Sequence, residues 1–330
     1  MKQPENRHHR WMRRALISTV ACLVAVSLTG VLYLRLIEIR TETVTFRNGN
    51  VTLAGTLALP RWRSGPFPAV VVVQGSGLLP RWVYWSYARH LVPAGMAVLI
   101  YDKRGIGESS GTTPTGAVWT IEGVANCGKS FSTLADDTLA AVALLKGRGD
   151  IDKARIGLAG ISQAGWVMPL AATRGSDVAF IISVSGPAVS CGIEDRYSQL
   201  SGEYRAYPEF SAPAPYAEGE LTDAEIGQRL DEYAGPAGYD PLPVLESLRI
   251  PSLWLLGGRD CSVPTARSVE NLKRLIAAGV PVEFRIYPDA DHLLTRGGGC
   301  KPSIGRLWRR VDYWSDAKDW LGRKGFLRTT

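Results

Sequence analysis

The spacing of hydrophobic residues changes along the chain, and it predicts an alternating series of strands and helices. Polar and apolar residues alternate over 42–47 and 51–59 on either side of a turn at 48–50, which predicts a β-hairpin. The β-branched run at 69–74 predicts a strand that is covered on both faces of a parallel sheet. Further strands are predicted at 96–101, 154–159, 178–184, 252–256 and 282–287.

Helical patterns separate these strands. Helices are predicted at 84–95, 134–146, 265–278 and about 304–321, and another begins after residue 165. A loop through Cys127 is expected before the second of these helices. Because strands and helices alternate, residues 41–330 are predicted to form an α/β domain with a mostly parallel, doubly wound sheet.

The segment 187–245 interrupts the alternation. It is rich in Tyr, Glu, Ala and Pro and contains one amphipathic stretch at 223–233. An insertion between core strands at this end of a sheet is predicted to form a helical cap or lid. Disorder of the insertion is the alternative, because residues 211–215 read Ser-Ala-Pro-Ala-Pro.

The N-terminal residues differ in composition from the rest of the chain. A basic leader at 1–14 holds five Lys or Arg residues and one Glu, and residues 15–34 carry no charge. A helix of that length rises about 30 Å, roughly the hydrocarbon thickness of a bilayer. The sequence therefore predicts a transmembrane signal anchor at 15–36, with a cytoplasmic N-terminus and an extracytoplasmic domain. The alternative is a signal peptide cleaved near 25–27, which would leave a secreted or periplasmic protein.

Composition excludes one class of partner. The chain has 330 residues and a net charge of +7, of which the leader supplies +4. The remaining +3 is small and scattered, so nucleic acid is not expected as a partner. With 45% hydrophobic and 21% charged residues, the chain can bury a sizeable core.

The candidate chemistry centres on the segment Gly-Ile-Ser-Gln-Ala-Gly at 160–165. An apolar strand is predicted before it and an apolar helix after it. A serine between a strand and a helix, with small residues two positions away on each side, is the pattern of a nucleophile elbow. Gly160 fits this pattern, whereas Ala164 replaces the more usual glycine and is expected to distort the turn slightly. Ser162 is therefore the candidate nucleophile.

A serine hydroxyl is a weak nucleophile and needs an adjacent base, usually a histidine oriented by a carboxylate. Two of the four histidines lie in the leader and His90 lies within a predicted helix, which leaves His292 in a loop after a strand. Asp260 lies at the carboxyl end of the strand at 252–256, where catalytic groups gather in open α/β sheets. Asp289 and Asp291 are rival carboxylates, but they are so near His292 in sequence that we expect them to shape its loop instead.

Acyl transfer also needs donors aimed at the developing oxyanion. One is expected to be the backbone N–H of Gln163, directly after the nucleophile. The other is expected to be the backbone N–H of Ser76, in preference to Gly77, in the Gly-Ser-Gly segment that follows the strand at 69–74. A simple turn is the alternative interpretation of this segment.

The cysteines outside the uncharged segment form an even set, which is typical of disulfide bonding in an oxidising compartment. Cys261 and Cys300 each follow a candidate site residue, so their loops should be neighbours. The predicted disulfides are therefore Cys261–Cys300 and Cys127–Cys191. Four unpaired buried thiols are the alternative.

Four blocks together resemble the serine-dependent α/β-hydrolases, in the branch that includes bacterial esterases, dienelactone hydrolases and serine aminopeptidases. They are Gln-Gly-Ser-Gly at 74–77, Asp-Lys-Arg-Gly-Ile-Gly-Glu-Ser at 102–109, the elbow at 160–165, and Asp260 with Asp-Ala-Asp-His at 289–292. The resemblance spans about 42–325, and the order Ser, Asp, His is that of α/β-hydrolases. It implies Ser162 as nucleophile, His292 as base and Asp260 as the carboxylate that orients it.

Two details of the resemblance concern loop support. The block at 102–109 is mainly architectural in such proteins, and Asp102 and Arg104 are expected to pair beside the site. Gln74 stands where these proteins often have histidine, which should affect the support of the loop more than the chemistry.

These features predict a carboxylesterase that forms an acyl-enzyme on Ser162 and acts outside the cytoplasm. One alternative is a serine peptidase of aminopeptidase or prolyl-peptidase type with the same triad, and another is a non-catalytic surface-binding protein of the same fold. An aminopeptidase would need an acidic pair for the substrate amine, for which the insertion offers Glu194, Asp195, Glu203, Glu209, Glu218 and Glu220.

No cofactor and no metal are expected, because the sequence has neither a clustered Cys/His pattern nor a Gly-x4-Gly-Lys-Ser/Thr phosphate loop. The expected partners are a small-molecule ester or a peptide substrate and, through the N-terminal helix, the membrane. The oligomeric state cannot be deduced from the sequence.

Overall fold

The computed structural model describes residues 7–114, 121–202, 221–297, 300 and 309–327. Its eight-stranded sheet has the order β1-β2-β4-β3-β5-β6-β7-β8. The strands are β1 (Ile39–Asn48), β2 (Val51–Pro60), β3 (Phe67–Val73), β4 (Ala97–Tyr101), β5 (Ile151–Ile161), β6 (Ile181–Val184), β7 (Ser252–Gly257) and β8 (Val282–Tyr287). The pairs β1·β2 and β2·β4 are antiparallel, and every pair from β4 to β8 is parallel. The predicted hairpin and the mostly parallel sheet are thus confirmed.

Helices α2 and α9 cover one face of the sheet, and α3, α4 and α8 cover the other. The helices of the described residues are α1 (Arg7–Ile37), α2 (Trp85–Leu91), α3 (Ile121–Lys146), α4 (Ala164–Arg174), α5 (Cys191–Ser201), α6 (Asp223–Asp231), α7 (Leu242–Ser247), α8 (Thr265–Ala277) and α9 (Tyr313–Arg323). A short 3₁₀-helix at Arg81–Tyr84 leads into α2.

The alternating side chains of β3 show how the two layers form. Val70 and Val72 join the apolar cluster that contains residues of α2 and α9. Val71 and Val73 point to the other face, where residues of α3, α4 and α8 pack. Because both faces are covered, β3 is fully apolar and buried, as its β-branched sequence predicted.

Helix α3 is longer than predicted. The loop expected through Cys127 is wrong, because α3 begins at Ile121 and includes this residue. Gly123 and Gly128 conceal the helix in the sequence, since glycine lowers helix propensity. Val124, Cys127 and Phe131 nevertheless lie on one helical face and are all buried, so tertiary packing outweighs the local preference.

Helices α5, α6 and α7 lie between β6 and β7, where the cap was predicted. Helix α6 starts with a capping box in which Thr222 and Glu225 bond each other's backbone N–H groups. Its apolar face packs Ile226 and Leu230 against Leu200 of α5. Residues 203–220, which include the proline-rich run at 211–215, lie outside the described part of the chain.

Helix α9 begins at Tyr313, where the Asp312 side chain accepts a hydrogen bond from Ser315 N–H at 3.1 Å. The start predicted near residue 304 lies outside the described residues.

At the other end of the chain, helix α1 covers the predicted anchor at 15–36. None of the helices in the described ranges is both long enough and apolar enough to cross a membrane, so the structure does not support the predicted transmembrane anchor.

Candidate active site

Ser162 occupies the sharp turn between β5 and α4. Its φ angle is 59°, a left-handed conformation that is strained for a residue with a Cβ atom. The Ser162 N–H donates to Val184 O at 2.9 Å, and Gly165 N–H donates to Ser162 O at 2.7 Å. These bonds hold the strained residue at the sheet edge where the parallel strands end, which is the geometry of a nucleophile elbow.

Close packing of the elbow explains its small residues. A Cβ atom at Gly160 would lie 2.3 Å from Val73 O and 2.5 Å from the Cβ of Ala164. Ala164 itself is fully buried. A Cβ atom at Gly165 would lie 2.7 Å from Gly186 Cα, so this glycine lets α4 approach the end of β6. The alanine at 164 is therefore accommodated because Gly160, which faces its methyl group, has no side chain.

His292 and Asp260 meet beyond the ends of β7 and β8. The Nδ1 atom of His292 lies 2.8 Å from Asp260 Oδ2 and 3.0 Å from Oδ1. The Asp260 carboxylate is fully buried, and its Oδ1 accepts hydrogen bonds from the N–H groups of Ser262 at 2.8 Å and Val263 at 2.9 Å. The structure therefore pairs the residues that the sequence singled out as base and acid.

Two glycines at the end of β7, Gly257 and Gly258, allow the His292 loop to pack against the Asp260 loop. A Cβ atom at Gly257 would lie 2.4 Å from Asp291 O, and one at Gly258 would lie 2.6 Å from Pro288 O. The Asp291 carboxylate accepts from the N–H groups of Leu293 at 3.0 Å and Thr295 at 2.9 Å. Asp291 thus shapes the His292 loop, as predicted.

Asp289 behaves differently from Asp291. It is exposed and lies 3.3 Å from the guanidinium group of Arg259. Neither rival carboxylate replaces Asp260 as the partner of His292 Nδ1 in the described structure.

The Gly75-Ser76-Gly77 segment packs directly on the elbow. A Cβ atom at Gly75 would lie 3.3 Å from Ile161 O and 3.4 Å from Ser162 Cβ. Within the described residues, the backbone N–H groups of Ser76 and Gln163 donate to no protein acceptor. Both candidate oxyanion donors are therefore unused by the fold itself.

Gln74 supports the loop at 75–77 through a contact with β4. It is buried, and its Nε2 donates to Tyr101 O at 2.5 Å, which ties the end of β3 to the end of β4. This contact agrees with the expectation that residue 74 affects the support of the loop.

The predicted pairing of Asp102 with Arg104 is wrong. Asp102 instead binds the guanidinium group of Arg81 and accepts from Arg81 N–H at 2.6 Å. Arg104 forms a bidentate contact with Asp137 of α3, through Nε at 2.7 Å and Nη2 at 2.5 Å. Asp102 and Arg104 therefore each have a counter-charge from another segment, Arg81 ahead of α2 and Asp137 on α3, and have no need to pair with each other.

Lys103, between these two residues, was missed by sequence reasoning. It is 3% exposed, and its ammonium group donates to Gly75 O, to Gly77 O at 3.5 Å and to Gln163 Oε1 at 3.4 Å. Burial lowers the pKa of Lys103 to about 8. No local signal distinguishes it in the sequence, because Asp102 and Arg104 on either side are also charged.

The cap is attached to the loop that follows β7 and carries Asp260, which we call the acid loop. Tyr197 and Ser198 of α5 donate to the backbone oxygens of Asp260 at 2.6 Å and Ser262 at 2.9 Å. A disulfide joins Cys261 to Cys300, and a second joins Cys127 of α3 to Cys191 of α5. The structure therefore brings both predicted cysteine pairs together.

Comparison with known proteins finds two related sequences and a solved structure of similar fold. The chain is 28% identical to the esterase EstD of Thermotoga maritima over 75% of its own length and 59% of EstD, so it spans about three fifths of that relative. It is 25% identical to a putative carboxymethylenebutenolidase of Methylorubrum extorquens over 92% of both chains. The solved structure of the Pyrococcus furiosus esterase Pf2001 superposes with a TM-score of 0.60 at 20% identity, covering 87% of this chain and 92% of that one, which shows a shared fold.

The family comparison covers most of the domain. The model of the prolyl oligopeptidase family matches residues 84–318, which include the elbow, the acid loop and the loop that carries His292. The chain therefore belongs to the prolyl oligopeptidase family, within the superfamily of serine-dependent α/β-hydrolases.

Proposed function

We propose that this protein is a serine carboxylesterase. The Ser162 hydroxyl attacks the ester carbonyl while His292 Nε2, the ring nitrogen opposite Asp260, accepts its proton. The N–H groups of Gln163 and Ser76 stabilise the oxyanion of the tetrahedral intermediate. The intermediate expels the alcohol, which takes the proton back from His292, and water then hydrolyses the acyl-enzyme by the same steps to release the acid.

One observation carries this proposal. His292 Nδ1 lies 2.8 Å from a fully buried Asp260 carboxylate, in loops that follow strands of the same sheet as the strained Ser162. A buried carboxylate at Nδ1 selects the tautomer in which Nε2 can accept a proton. The unused N–H groups of Ser76 and Gln163 beside the elbow support the same chemistry.

The relatives favour an ester as substrate. One is an esterase by name, and another is named for hydrolysis of a butenolide, which is a cyclic ester. An ester carbonyl has a better leaving group than an amide, so it places smaller demands on the general acid.

The proposal is tested by labelling the full chain with a fluorophosphonate, which phosphonylates only an activated serine. The parent protein is expected to be labelled and to hydrolyse aryl acetates, and Ser162→Ala is expected to lose both activities. Ser185→Ala is the matched control, because Ser185 has a φ of 47° but is fully buried at the end of β6. It should still be labelled.

Failure of the parent protein to react, in a folded sample, would overturn the hydrolase proposal. A non-catalytic binding protein of this fold would then be the better explanation. Labelling that persists in Ser162→Ala would instead move the nucleophile to another residue.

A peptidase is the second candidate, because the family model is that of prolyl oligopeptidases. Glu194 and Asp195 of α5 are both buried, and Ser262 beside the acid loop donates to Glu194 at 3.4 Å. Acidic side chains near the site could bind the amine of a peptide. Turnover of aminoacyl or prolyl amides faster than aryl acetates would favour this candidate, and turnover of esters alone would exclude it.

We also propose that the domain acts outside the cytoplasm. Support comes from the two disulfides, because such bonds persist mainly in oxidising compartments. Protein isolated from its native compartment without reductant should have an intact mass lower by four hydrogens than the reduced chain. The full reduced mass would contradict this location.

A further inference from the structure

Lys103 has an environment that is unusual for a lysine. It is 3% exposed, and within the described residues its partners are all neutral oxygen atoms, those of Gly75, Gly77 and Gln163. Burying an ammonium group without a carboxylate is costly. A neutral side chain of similar length would avoid this cost, so the charge itself needs an explanation.

Charged neighbours do not supply that explanation. Asp102 is engaged by Arg81, and Arg104 is engaged by Asp137. Tyr84, whose hydroxyl accepts from Gly75 N–H at 3.2 Å, has its pKa raised to about 12 by burial and so stays neutral. The ammonium group therefore acts on the two segments that it touches.

Those two segments are the ones that carry the candidate oxyanion donors. Gly75 O belongs to the same peptide group as the N–H of Ser76. In a planar trans peptide the C=O and N–H bonds point in opposite directions, so a donor that holds Gly75 O also fixes the direction of the Ser76 N–H. A positive charge on the carbonyl oxygen also polarises the peptide group and makes its N–H a stronger donor.

The second segment is the elbow. Lys103 reaches the side-chain oxygen of Gln163, whose backbone N–H is the other candidate donor. The same ammonium group thereby holds the glycine loop and the elbow in one arrangement. The space between Gly75 and the elbow is narrow, since an added Cβ atom at Gly75 would lie 3.3 Å from Ile161 O, and a small displacement of the loop would therefore separate the two donors.

We propose that Lys103 is a positioning residue for the oxyanion hole, which orients and polarises the Gly75–Ser76 peptide so that its N–H stabilises the negative charge on the ester oxygen. This inference rests on the proposed esterase function. Lys103 does not touch the reacting atoms in this scheme, and it neither accepts a proton nor forms a covalent bond.

The test compares the parent full-length protein with Lys103→Met, Lys103→Gln and Lys103→Arg. The Met variant removes the charge and keeps a flexible side chain of similar length, Gln keeps a neutral donor, and Arg keeps the charge. Lys146→Met is the matched control, because Lys146 binds Asp177 at a partly exposed site at the end of α3. The readouts are kcat and KM for an aryl acetate and the inhibition constant of an aryl trifluoromethyl ketone, which forms an oxyanion with the active serine.

We expect Lys103→Met to lower kcat about 10- to 100-fold, less than the loss of a whole oxyanion donor, with KM changed less than about threefold. The trifluoromethyl ketone should bind more weakly by a similar factor, because it too presents an oxyanion. Lys103→Arg should retain more of kcat than Lys103→Met, and Lys146→Met should match the parent. If the Met variant does not fold, Lys103→Gln is expected to show the same losses in milder form.

Two results would overturn the proposal. One is a kcat in the folded neutral variants within about twofold of the parent. The other is a rise in KM with no change in kcat, since that would assign Lys103 to ground-state binding. Failure of the proposed function is recognised separately, because the parent protein itself would then neither hydrolyse the ester nor react with a fluorophosphonate.

Discussion

Asp260 Oδ2 lies 2.8 Å from His292 Nδ1, and the same carboxylate accepts two backbone N–H groups through Oδ1. The carboxylate is thus fixed by its own loop independently of the imidazole. Because it is fully buried, it can hold the Nδ1–H tautomer without competition from water. The arrangement makes Asp260 the residue on which the orientation of His292 depends.

The substitution Asp260→Asn tests this dependence. An amide in place of the carboxylate no longer stabilises the imidazolium and favours the wrong tautomer, so kcat for an aryl ester should fall about 10³- to 10⁴-fold. The variant should still fold, because the amide oxygen can accept from Ser262 N–H. Asp289→Asn is the control, since Asp289 is exposed and binds Arg259, and it should leave kcat unchanged. A loss below about tenfold in Asp260→Asn would contradict the assigned role.

A second prediction concerns Gly160→Ala in the elbow. The added Cβ atom would lie 2.3 Å from Val73 O, so strands β3 and β5 would have to separate. Forcing backbone apart in a packed core should lower the free energy of unfolding by about 2–4 kcal/mol, measured by urea denaturation. Gly227→Ala is the control, because a Cβ atom there meets no atom within 4 Å on helix α6. It should raise stability by about 0.5–1 kcal/mol, and an equal effect of the two substitutions would refute the steric argument.

Much of the architecture could be predicted because the relevant signals are local. The β-branched run of β3 indicated a strand with two covered faces, and the strands that precede Asp260 and His292 indicated which residues could meet at one edge of the sheet. The pairing of Cys261 with Cys300 followed from the same reasoning about strand ends.

Other features depend on contacts between distant segments and leave no local signal. Arg104 binds Asp137 on a helix that follows later in the chain, and Asp102 binds Arg81 at the start of the earlier 3₁₀-helix. The first half of α3 lacks helix propensity and is held by the burial of Val124 and Phe131. Lys103 could not be distinguished from an exposed lysine until the loop at 75–77 was seen to cover it.

The Arg104–Asp137 pair gives a third prediction. The Asp137 side chain is fully buried and also accepts from Asn48 Nδ2 at 2.8 Å, and Asp137→Asn leaves the part-buried Arg104 guanidinium group without the negative charge that it binds. Breaking a buried ion pair from one side should lower the free energy of unfolding by about 3 kcal/mol. Asp136→Asn is the matched control, because the adjacent Asp136 binds Arg174 at the surface, and its effect should stay below about 1 kcal/mol. Equal losses from the two variants would show that burial does not set the strength of the pair.

A fourth prediction concerns pH and Lys103. Burial lowers the pKa of Lys103 from 10.5 to about 8 in the folded protein. Between these two values the unfolded chain binds one proton more than the folded protein, so the free energy of unfolding rises with pH across this window. Below pH 8 both states carry the charge, and the folded protein bears the full cost of burying it.

The comparison of the parent protein with Lys103→Met isolates this contribution from other groups that titrate at high pH. The stability of the Met variant relative to the parent should be greatest near pH 7.5 and should shrink by about 3 kcal/mol on going to pH 10.5. Urea unfolding at four pH values in this range measures the difference, and Lys146→Met should show no such trend because its lysine is partly exposed. A stability difference that is independent of pH would mean that Lys103 keeps its ordinary pKa, and the ammonium group would then have to be better solvated than its 3% exposure implies.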